Sequence, residues 1–287
     1  MATGLITAIV AEVHEIRGPN GSGCRVLSID AVQRIAAQTG KPLREVEIGA
    51  LQHGITPVRY LRNQVSIGIL DQIRLLEAKV AVIGQGGLGG FVAEILARAG
   101  VGRLVLIDGD RFEDHNLNRQ LFCTADTIGQ YKAERAATHV GRVNAAVLVE
   151  AKVAFLTPSN ADQLIAGCDV VVDCLDNIVS RFDLESAAKR AGIPMASAAV
   201  AGYTGQVSTV FSEDTGIALI YGAREDLQDS EGIETVLGCP PQTVALVAAV
   251  QSSEVIKVLS GKTDRLLRNK LWVADLSDNT FEVFSLV

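Results

Sequence analysis

The sequence predicts an α/β protein with a doubly wound, Rossmann-like mixed sheet and a small helical extension at its N-terminus. Three observations predict this class. From Lys79 onward, continuous apolar runs typical of buried parallel strands alternate with helical segments. Further along, TGQVSTVF alternates apolar and polar residues as an antiparallel strand does. Residues 1–58 show neither pattern and contain short helical segments instead.

The N-terminal extension, residues 1–58, is predicted from two helix signals. Ser28 or Asp30 can cap a first helix that Gly40 ends, and Pro42 can open a second helix that closes near Gly54. Two short helices resemble a helix-turn-helix, but acidic and basic residues are mixed along both. We therefore expect an extension used for packing or dimerisation.

The alternating region supplies the elements of the sheet in order. The predicted parallel strands are KVAVIG, RLVLID, VLVEAKVAF, DVVVDCLD and IPMASAAV, with a helix after each of the first four. The antiparallel half follows as TGQVSTVF, a long helix QTVALVAAVQSSEVIKVLSG, and a hairpin KLWVADLSDNTFEVFSLV that turns at Ser-Asp-Asn.

Composition excludes several classes of protein. The net charge of −7 over 287 residues disfavours a general nucleic-acid binder. Five cysteines without paired spacing suit a reducing compartment better than a disulfide framework. The N-terminus does not resemble a signal peptide, and no apolar run reaches the roughly 18 residues that span a bilayer. A soluble, cytoplasmic protein with no membrane contact is expected.

The glycine motif GQGGLG lies between the first predicted strand and its helix. In that context it is a G-x-G-x-x-G sequence, whose glycines let the backbone approach a phosphate at the helix N-terminus. Asp108 ends the next strand, where an acid can accept the ribose hydroxyls. These features predict a nucleotide site, and by themselves they favour NAD. The glycines concerned are Gly84, Gly86, Gly87 and Gly89.

The segment DGDRFEDHNLNRQLF argues against NAD. After Asp108 it continues with a second acid, Asp110, and then with Asn116, Arg119 and Gln120. A dinucleotide fold does not require this cluster of amides and a guanidinium. Lys132 follows near the start of the next helix, where a cation opposes the helix dipole unless a bound phosphate neutralises it. A surface lysine is the alternative interpretation.

The motif DCLDN ends another buried strand. It places Asp176 and Asn177 at the carboxyl edge of the sheet, where ligands bind in open parallel sheets. A carboxylate beside phosphates usually holds Mg²⁺. Alternatively, either residue could simply cap the helix that follows.

Together these motifs resemble the ThiF/MoeB/HesA family, bacterial relatives of the ubiquitin-activating enzymes. The resemblance runs from about Arg59 to Val287, so it implies an adenylation domain over residues 59–287. It also covers the lead-in RYLRNQVSIGILDQIRLLEAKV, in which Arg62 takes the position of an arginine that reaches the partner's nucleotide site in homodimers of the family. The matching motifs are GQGGLG, RLVLIDGD, NLNRQ, GQYKAE, DCLDN, IPMASAAVAGYTGQV and QSSEVIKVLSG.

The resemblance implies ATP- and Mg²⁺-dependent adenylation of the C-terminal glycine carboxylate of a small ubiquitin-fold sulfur carrier, of the ThiS or MoaD type. That carboxylate is already ionised at neutral pH, so the reaction needs fixed positive charge rather than a general base. The expected roles are phosphate binding by Arg119, Lys132 and Arg62, phosphate positioning by Asn116 and Gln120, Mg²⁺ binding by Asp176, and ribose binding by Asp108, with Asp110, Asn177 and the four glycines also at the nucleotide.

Two departures from the family carry expectations of their own. Many relatives bind a structural zinc through two CxxC pairs, but this chain reads IALIYGARED at the first position and has no cysteine at its C-terminus. We expect no zinc, and an antiparallel half held by apolar packing alone. Cys239 in LGCPPQ is the candidate for a catalytic thiol, although its position does not align with the family's loop cysteine.

Three alternatives remain open at this point. The first is a related enzyme that adenylates a carboxylate on modified tRNA, which the acidic composition disfavours. The second is an NAD-dependent dehydrogenase, which NLNRQ and Arg62 disfavour. The third is an inactive nucleotide-binding partner subunit, against which every charged position of the motif set is filled.

Overall fold

The computed structural model describes residues 2–18, 21–227 and 237–287. The described residues of the N-terminal part form three helices and three short strands: α1 (Ala2–Ala11), β1 (His14–Arg17), β2 (Gly23–Leu27), α2 (Ile29–Thr39), α3 (Leu43–Gln52) and β3 (Thr56–Pro57). The strands pair in the order β1-β2-β3. The sequence predicted α2 and α3 but not this sheet, because strands of two to five residues, one of them fully exposed, carry no apolar alternation.

The helix signals of this part act as expected. Ser28 caps α2, since its Oγ accepts a hydrogen bond from the Ala31 N–H at 3.1 Å. Gly40 ends the helix in the left-handed region, with φ of 67°.

An eight-stranded mixed sheet forms the rest of the molecule and confirms the predicted fold class. The strand order is β11-β10-β9-β8-β7-β4-β5-β6, with β4 to β8 parallel and the others antiparallel to their neighbours. The strands are β4 (Lys79–Ile83), β5 (Arg103–Ile107), β6 (Leu148–Lys152), β7 (Val170–Asp173), β8 (Met195–Ala201), β9 (Thr204–Val210), β10 (Lys270–Asp275) and β11 (Thr280–Ser285).

Helices cover both faces of this sheet, as a doubly wound fold requires. One core joins α5, α6 and α10 to the sheet, and a second core on the other face joins α7 and α8 to it. The helices are α4 (Ile69–Glu77), α5 (Gly87–Ala99), α6 (Lys132–Val143), α7 (Ala161–Leu164), α8 (Ile178–Ala191), α9 (Ala218–Tyr221) and α10 (Pro241–Leu259).

The strand order reverses direction beside β4. The chain runs from β4 through β5 to β6 on one side, and then returns to place β7 and β8 on the other. The carboxyl ends of β4, β5 and β7 are in register, since Ile83 pairs with both Ile107 and Asp173. In open parallel sheets this switch point leaves a crevice in which ligands bind.

Helix α10 is long and apolar enough to cross a membrane by length and composition. It packs, however, against α5, β8 and β9 and buries Val244, Val247 and Val255 in the core. It therefore belongs to the sheet's own core and does not indicate a membrane protein.

The expectation that apolar packing alone holds the antiparallel half is wrong. Glu254 of α10 is fully buried, and it accepts hydrogen bonds at 2.7 Å from both the Thr209 hydroxyl and the Leu267 N–H. Lys257, one turn later, forms an ion pair with the same carboxylate. A buried charge is thus compensated by three partners and ties α10 to β9.

Candidate active site

A cavity of about 470 Å³ opens at the carboxyl ends of β4, β5 and β7. Its walls come from the glycine loop after β4, the acids after β5, the start of α6, the segment after β6 and the segment after β7. Ten of the predicted site residues line it: Gly84, Gly86, Gly87, Asp108, Asp110, Arg119, Gln120, Lys132, Asp176 and Cys239. The fold therefore brings together in one cavity motifs that lie more than a hundred residues apart in sequence.

The glycine loop leads directly into α5, whose N-terminus faces the cavity. Gly86 is the N-cap residue and no side chain in the described ranges caps the helix, so the first N–H groups remain available to a ligand. The helix dipole adds partial positive charge at the same point. This end of α5 is suited to an anionic group such as a phosphate.

Two glycines of the loop are required by close packing. Gly84 has φ of +91°, and a Cβ on it would lie 2.5 Å from the carbonyl oxygen of Cys174. A Cβ on Gly89 would lie 1.8 Å from the carbonyl oxygen of Gly84. Gly89 does not line the cavity; it lets α5 approach the turn that does.

Replacing Gly89 by alanine is expected to lower the free energy of unfolding by about 1–3 kcal/mol, because the methyl group forces the loop apart. Urea denaturation measures this change. Gly141→Ala is the matched control: that glycine lies in α6, and no atom of a described residue stands within 4 Å of a new Cβ. It should stabilise the chain by about 0.5–1 kcal/mol. Equal stability of the two variants would contradict this account of the loop.

Asp108 lies under the cavity with both carboxylate oxygens engaged. Oδ2 accepts the Gln85 N–H at 2.6 Å, and Oδ1 accepts the Asp110 N–H at 2.7 Å. Burial raises the pKa of Asp108 above its ordinary value, although both hydrogen bonds oppose the shift. Each oxygen keeps a second lone pair, so the carboxylate can still accept ribose hydroxyls.

Lys132 is the first residue of α6 and is largely buried at the cavity wall. Its Nζ lies 3.0 Å from Asp110 Oδ2, and its backbone N–H donates to the Asp110 carbonyl at 3.0 Å. An ammonium at a helix N-terminus is unfavourable, and Asp110 offsets part of that cost. The structure thus excludes the surface-lysine interpretation, because this cation faces the cavity.

Arg119 and Gln120 lie against the glycine loop. The Cγ of Arg119 is 3.7 Å from where a Cβ on Gly87 would stand, and the Nε2 of Gln120 is 3.5 Å from the same position on Gly86. Arg119 is half-buried and donates to the Asn118 side chain at 2.9 Å. The Oε1 of Gln120 is buried without a hydrogen-bond partner in the described part of the chain. Both side chains therefore have hydrogen-bonding capacity left for a ligand.

Asn116 lies behind this wall and does not line the cavity. It is buried, and its Oδ1 accepts the Glu113 N–H at 3.0 Å in a capping box. Its carbonyl accepts the N–H groups of Arg119 and Gln120. Asn116 therefore shapes the loop that presents those two side chains.

The structure separates the two polar residues that follow β7. Asn177 is the N-cap of α8, and its Oδ1 accepts the Ser180 N–H at 2.9 Å. Asp176 is exposed, lines the cavity, and makes no hydrogen bond or ion pair with any described residue. Since Asn177 already caps the helix, Asp176 is left with a carboxylate free for a cation.

Arg62 does not line the cavity of its own chain. It lies in the turns between β3 and α4, is exposed, and has no partner for its guanidinium among the described residues. A role for it in this chain's own site is therefore not supported by position.

Sequence reasoning missed a buried ion pair beneath the site. Arg181 of α8 lies 3.0 Å from Asp173 at the end of β7, and it also donates to the carbonyl oxygens of Ala198 and Leu175. Ser197 donates to Asp173 at 2.7 Å. The pair fixes the strand end that carries Asp176. Asp173, which directly follows the apolar run VVV, was the sequence signal that could have revealed this ion pair.

Two cysteines line the cavity. Burial raises the pKa of the Cys174 thiol, as expected for an unreactive cysteine. Cys239 is half-buried just before α10, and the Asn118 amide donates to its carbonyl at 3.4 Å. The described residues contain no group of three or more His, Cys, Asp or Glu side chains placed to hold a metal ion.

Family and sequence comparisons place this chain among proteins of one family. Residues 60–286 match the ThiF family. The SAMP-activating enzyme E1 of Haloferax volcanii is 35% identical over 228 residues, covering 78% of this chain and 83% of that protein. HesA of Leptolyngbya boryana is 34% identical over 205 residues, covering 71% and 73%. The adenylyltransferase and sulfurtransferase MOCS3 of Sus scrofa is 36% identical over 211 residues; the match covers 71% of this chain but 45% of MOCS3.

Solved structures with the same fold include PaaA and the E. coli protein MccB. MccB superposes with a TM-score of 0.69 at 23% identity, covering 79% of this chain and 69% of its own. PaaA superposes with a TM-score of 0.67 at 22% identity, covering 80% and 82%. At these identities the likeness concerns the fold.

Proposed function

The chain belongs to the ThiF family and is an adenylyltransferase, and from that premise we propose its substrates. We propose that it uses ATP and Mg²⁺ to adenylate the C-terminal glycine carboxylate of a small ubiquitin-fold sulfur carrier of the ThiS or MoaD type. The observation that carries the proposal is the convergence of Arg119, Lys132, the α5 N-terminus and an unpaired Asp176 around one cavity. Its volume is in the range typical of small-molecule sites.

The proposed reaction joins two anions. An oxygen of the carrier's carboxylate attacks the α-phosphorus of ATP, the bond from that phosphorus to the bridging oxygen breaks, and pyrophosphate leaves. The product is an acyl-adenylate. Because the nucleophile is already ionised, the barrier is charge repulsion and the charge that develops on the leaving group. Fixed cations that are desolvated before the reaction lower this barrier most effectively.

The residues present fit a magnesium ion. Mg²⁺ in nucleotide sites is usually held by one or two carboxylates together with substrate phosphates and water. Asp176 offers one exposed carboxylate without a competing partner, next to the wall where phosphates would bind. When bound, the ion would supply positive charge to the phosphates.

We propose that Arg62 serves the nucleotide site of a second copy of the chain. Its guanidinium is exposed and unpartnered in the described structure, and it lies outside the chain's own cavity. Large apolar side chains are exposed near it and near the Asn-Leu-Asn-Arg-Gln loop, as expected for a dimer interface: Val65, Leu70, Leu117 and Leu121.

The antiparallel half offers a surface for the body of a carrier protein. Strand β11 is exposed along its whole length, including Phe281, Val283 and Phe284. Exposed apolar patches of this kind mark protein-interaction sites. The Haloferax volcanii relative is named for activating SAMP, and MOCS3 for adenylyl and sulfur transfer. We propose that Cys239, at the cavity wall, is the candidate thiol for any step after adenylation.

A cytoplasmic location is proposed with this function. None of the five cysteines, all of which lie in the described part of the chain, forms a disulfide bond, which suits a reducing compartment.

The proposal is tested by ATP–pyrophosphate exchange. The chain is incubated with ATP, Mg²⁺, labelled pyrophosphate and candidate ubiquitin-fold carriers ending in Gly-Gly. We expect label to enter ATP with an intact carrier and not with the same carrier lacking its last two glycines. Exchange that requires tRNA would favour the tRNA-directed enzyme. Tight NADH binding without ATP affinity would favour the dehydrogenase, and ATP binding without exchange with any carrier would favour an inactive subunit.

A further inference from the structure

A buried polar cluster joins α3 to the segment just before Arg62. Glu47 of α3 is fully buried; its Oε2 accepts the Tyr60 hydroxyl at 3.0 Å, and its Oε1 lies 3.1 Å from Arg59 Nε in an ion pair. Asn144, at the end of α6, accepts from Arg59 and donates to the Tyr60 hydroxyl. These four residues, Glu47, Arg59, Tyr60 and Asn144, are called the Glu47 cluster below.

The Glu47 cluster fixes the start of the turn that carries Arg62. Tyr60 is fully buried, and its carbonyl accepts the Asn63 N–H at 2.9 Å, which closes a turn around Leu61 and Arg62. Arg62 follows two residues after the anchored tyrosine. Contacts from the N-terminal extension therefore fix the backbone that presents the Arg62 guanidinium.

We propose that Glu47 is a positioning residue, through which the N-terminal extension holds the turn that presents Arg62 to the nucleotide site of a second copy of the chain. This inference rests on the proposed function, because Arg62 has a role only if that site binds ATP. The N-terminal extension, residues 1–58, then has a role in the reaction through Glu47 in addition to packing.

The charge of Glu47 supports this assignment. A buried carboxylate costs folding free energy unless it is paired, and replacing buried ion pairs by apolar residues is often neutral or stabilising. Burial raises the pKa of Glu47 to about 7, although Arg59 and Tyr60, the charged and titratable groups that face it, both oppose the shift. The Glu47 carboxylate is therefore better explained by the position it imposes on Arg59 and Tyr60 than by stability.

The raised pKa of Glu47 determines how its contribution to folding stability changes with pH. The folded state binds the Glu47 proton more tightly than the unfolded chain, where the carboxyl titrates near 4.5. The stability that Glu47 contributes is full below pH 4.5 and is lost as pH rises through about 7. Exchange activity is expected to change in the opposite direction, because the ion pair with Arg59 forms as Glu47 ionises.

The kinetic test is a double-mutant cycle between Glu47 and Arg62 at pH 8. We expect Glu47→Gln to lower kcat for exchange on the order of 10–100-fold, since misplacement by about 1 Å costs a comparable factor. It should also remove the rise in rate through about pH 7. In the Arg62→Ala background, Glu47→Gln should cause no further loss. Glu12→Gln, which breaks the exposed Glu12–Arg34 pair in the same extension, is the matched control and should leave exchange unchanged.

Hydrogen exchange tests the same proposal without activity. Loss of the Glu47 cluster should reduce the protection of the Asn63 amide in Glu47→Gln and in Tyr60→Phe, the second variant being used in case the first does not fold. Unchanged protection in the folded variants, or additive kinetic losses with Arg62→Ala, would overturn the proposal while leaving the proposed function intact. If the wild-type chain catalyses no exchange, the proposed function fails, and reduced Asn63 protection would still support the holding of this turn by Glu47.

Discussion

Replacing Arg119 by alanine is expected to lower carrier-dependent ATP–pyrophosphate exchange by about 10²–10³-fold, the usual cost of removing one electrostatic donor from a transition state. The side chain lines the cavity with its Cγ against the glycine loop, where the phosphates of a nucleotide on the α5 N-terminus would be within reach. In the free protein its hydrogen bonds to described residues run to His115 and Asn118 of its own loop, so the variant should fold normally.

The matched control for this variant is Arg190→Ala. Arg190 is exposed, and it forms a surface ion pair with Asp162 outside the cavity. Such pairs contribute about 0–1 kcal/mol to stability, and exchange should remain at the wild-type rate. An Arg119→Ala rate within a factor of two or three of the control would refute the role assigned to this arginine.

Replacing Asp176 by alanine is expected to lower exchange on the order of 10²-fold or more, and to raise the Mg²⁺ concentration needed for half-maximal rate. The carboxylate makes no contact within the described structure that supports the fold, because Asn177 alone caps α8. Thermal unfolding should therefore be unchanged, and the loss should appear in a magnesium titration of the exchange rate.

Asp126→Ala provides the comparison for that titration. Asp126 is an exposed aspartate that does not line the cavity. Its replacement should alter neither the rate nor the dependence on Mg²⁺. A normal magnesium titration for Asp176→Ala would show that this carboxylate does not bind the ion.

The sheet and the nucleotide-facing loop were predictable because their signals are local. Apolar runs such as DVVV read as buried strands, and a glycine turn between strand and helix identifies the position of Gly84 to Gly89. Parallel strands share one edge, so polar residues after successive strands must converge there. Lys132 and Asp176 could be assigned to one site on this basis.

The contacts that hold the site were not predictable, because they join residues distant in sequence. Glu47 pairs with Arg59 across a turn and a short strand, and Asn144 closes the same cluster from the end of α6. Glu254 similarly ties α10 to β9 through Thr209. No local periodicity marks which buried carboxylate meets which partner.

Which of Asp176 and Asn177 caps α8 could also not be predicted from the sequence. Either residue type can cap a helix, so composition left both roles open. The three-dimensional structure gives the cap to Asn177, and that leaves the aspartate free.

A crystal structure of the chain with ATP and Mg²⁺ tests the central claim most directly. We expect the glycine loop and the α5 N-terminus to hold the phosphates, with Arg119 and Lys132 donating hydrogen bonds to phosphate oxygens. We expect the Asp176 carboxylate to bind the magnesium ion. A triphosphate bound away from these three side chains would contradict the claim that this edge of the sheet activates a carboxylate.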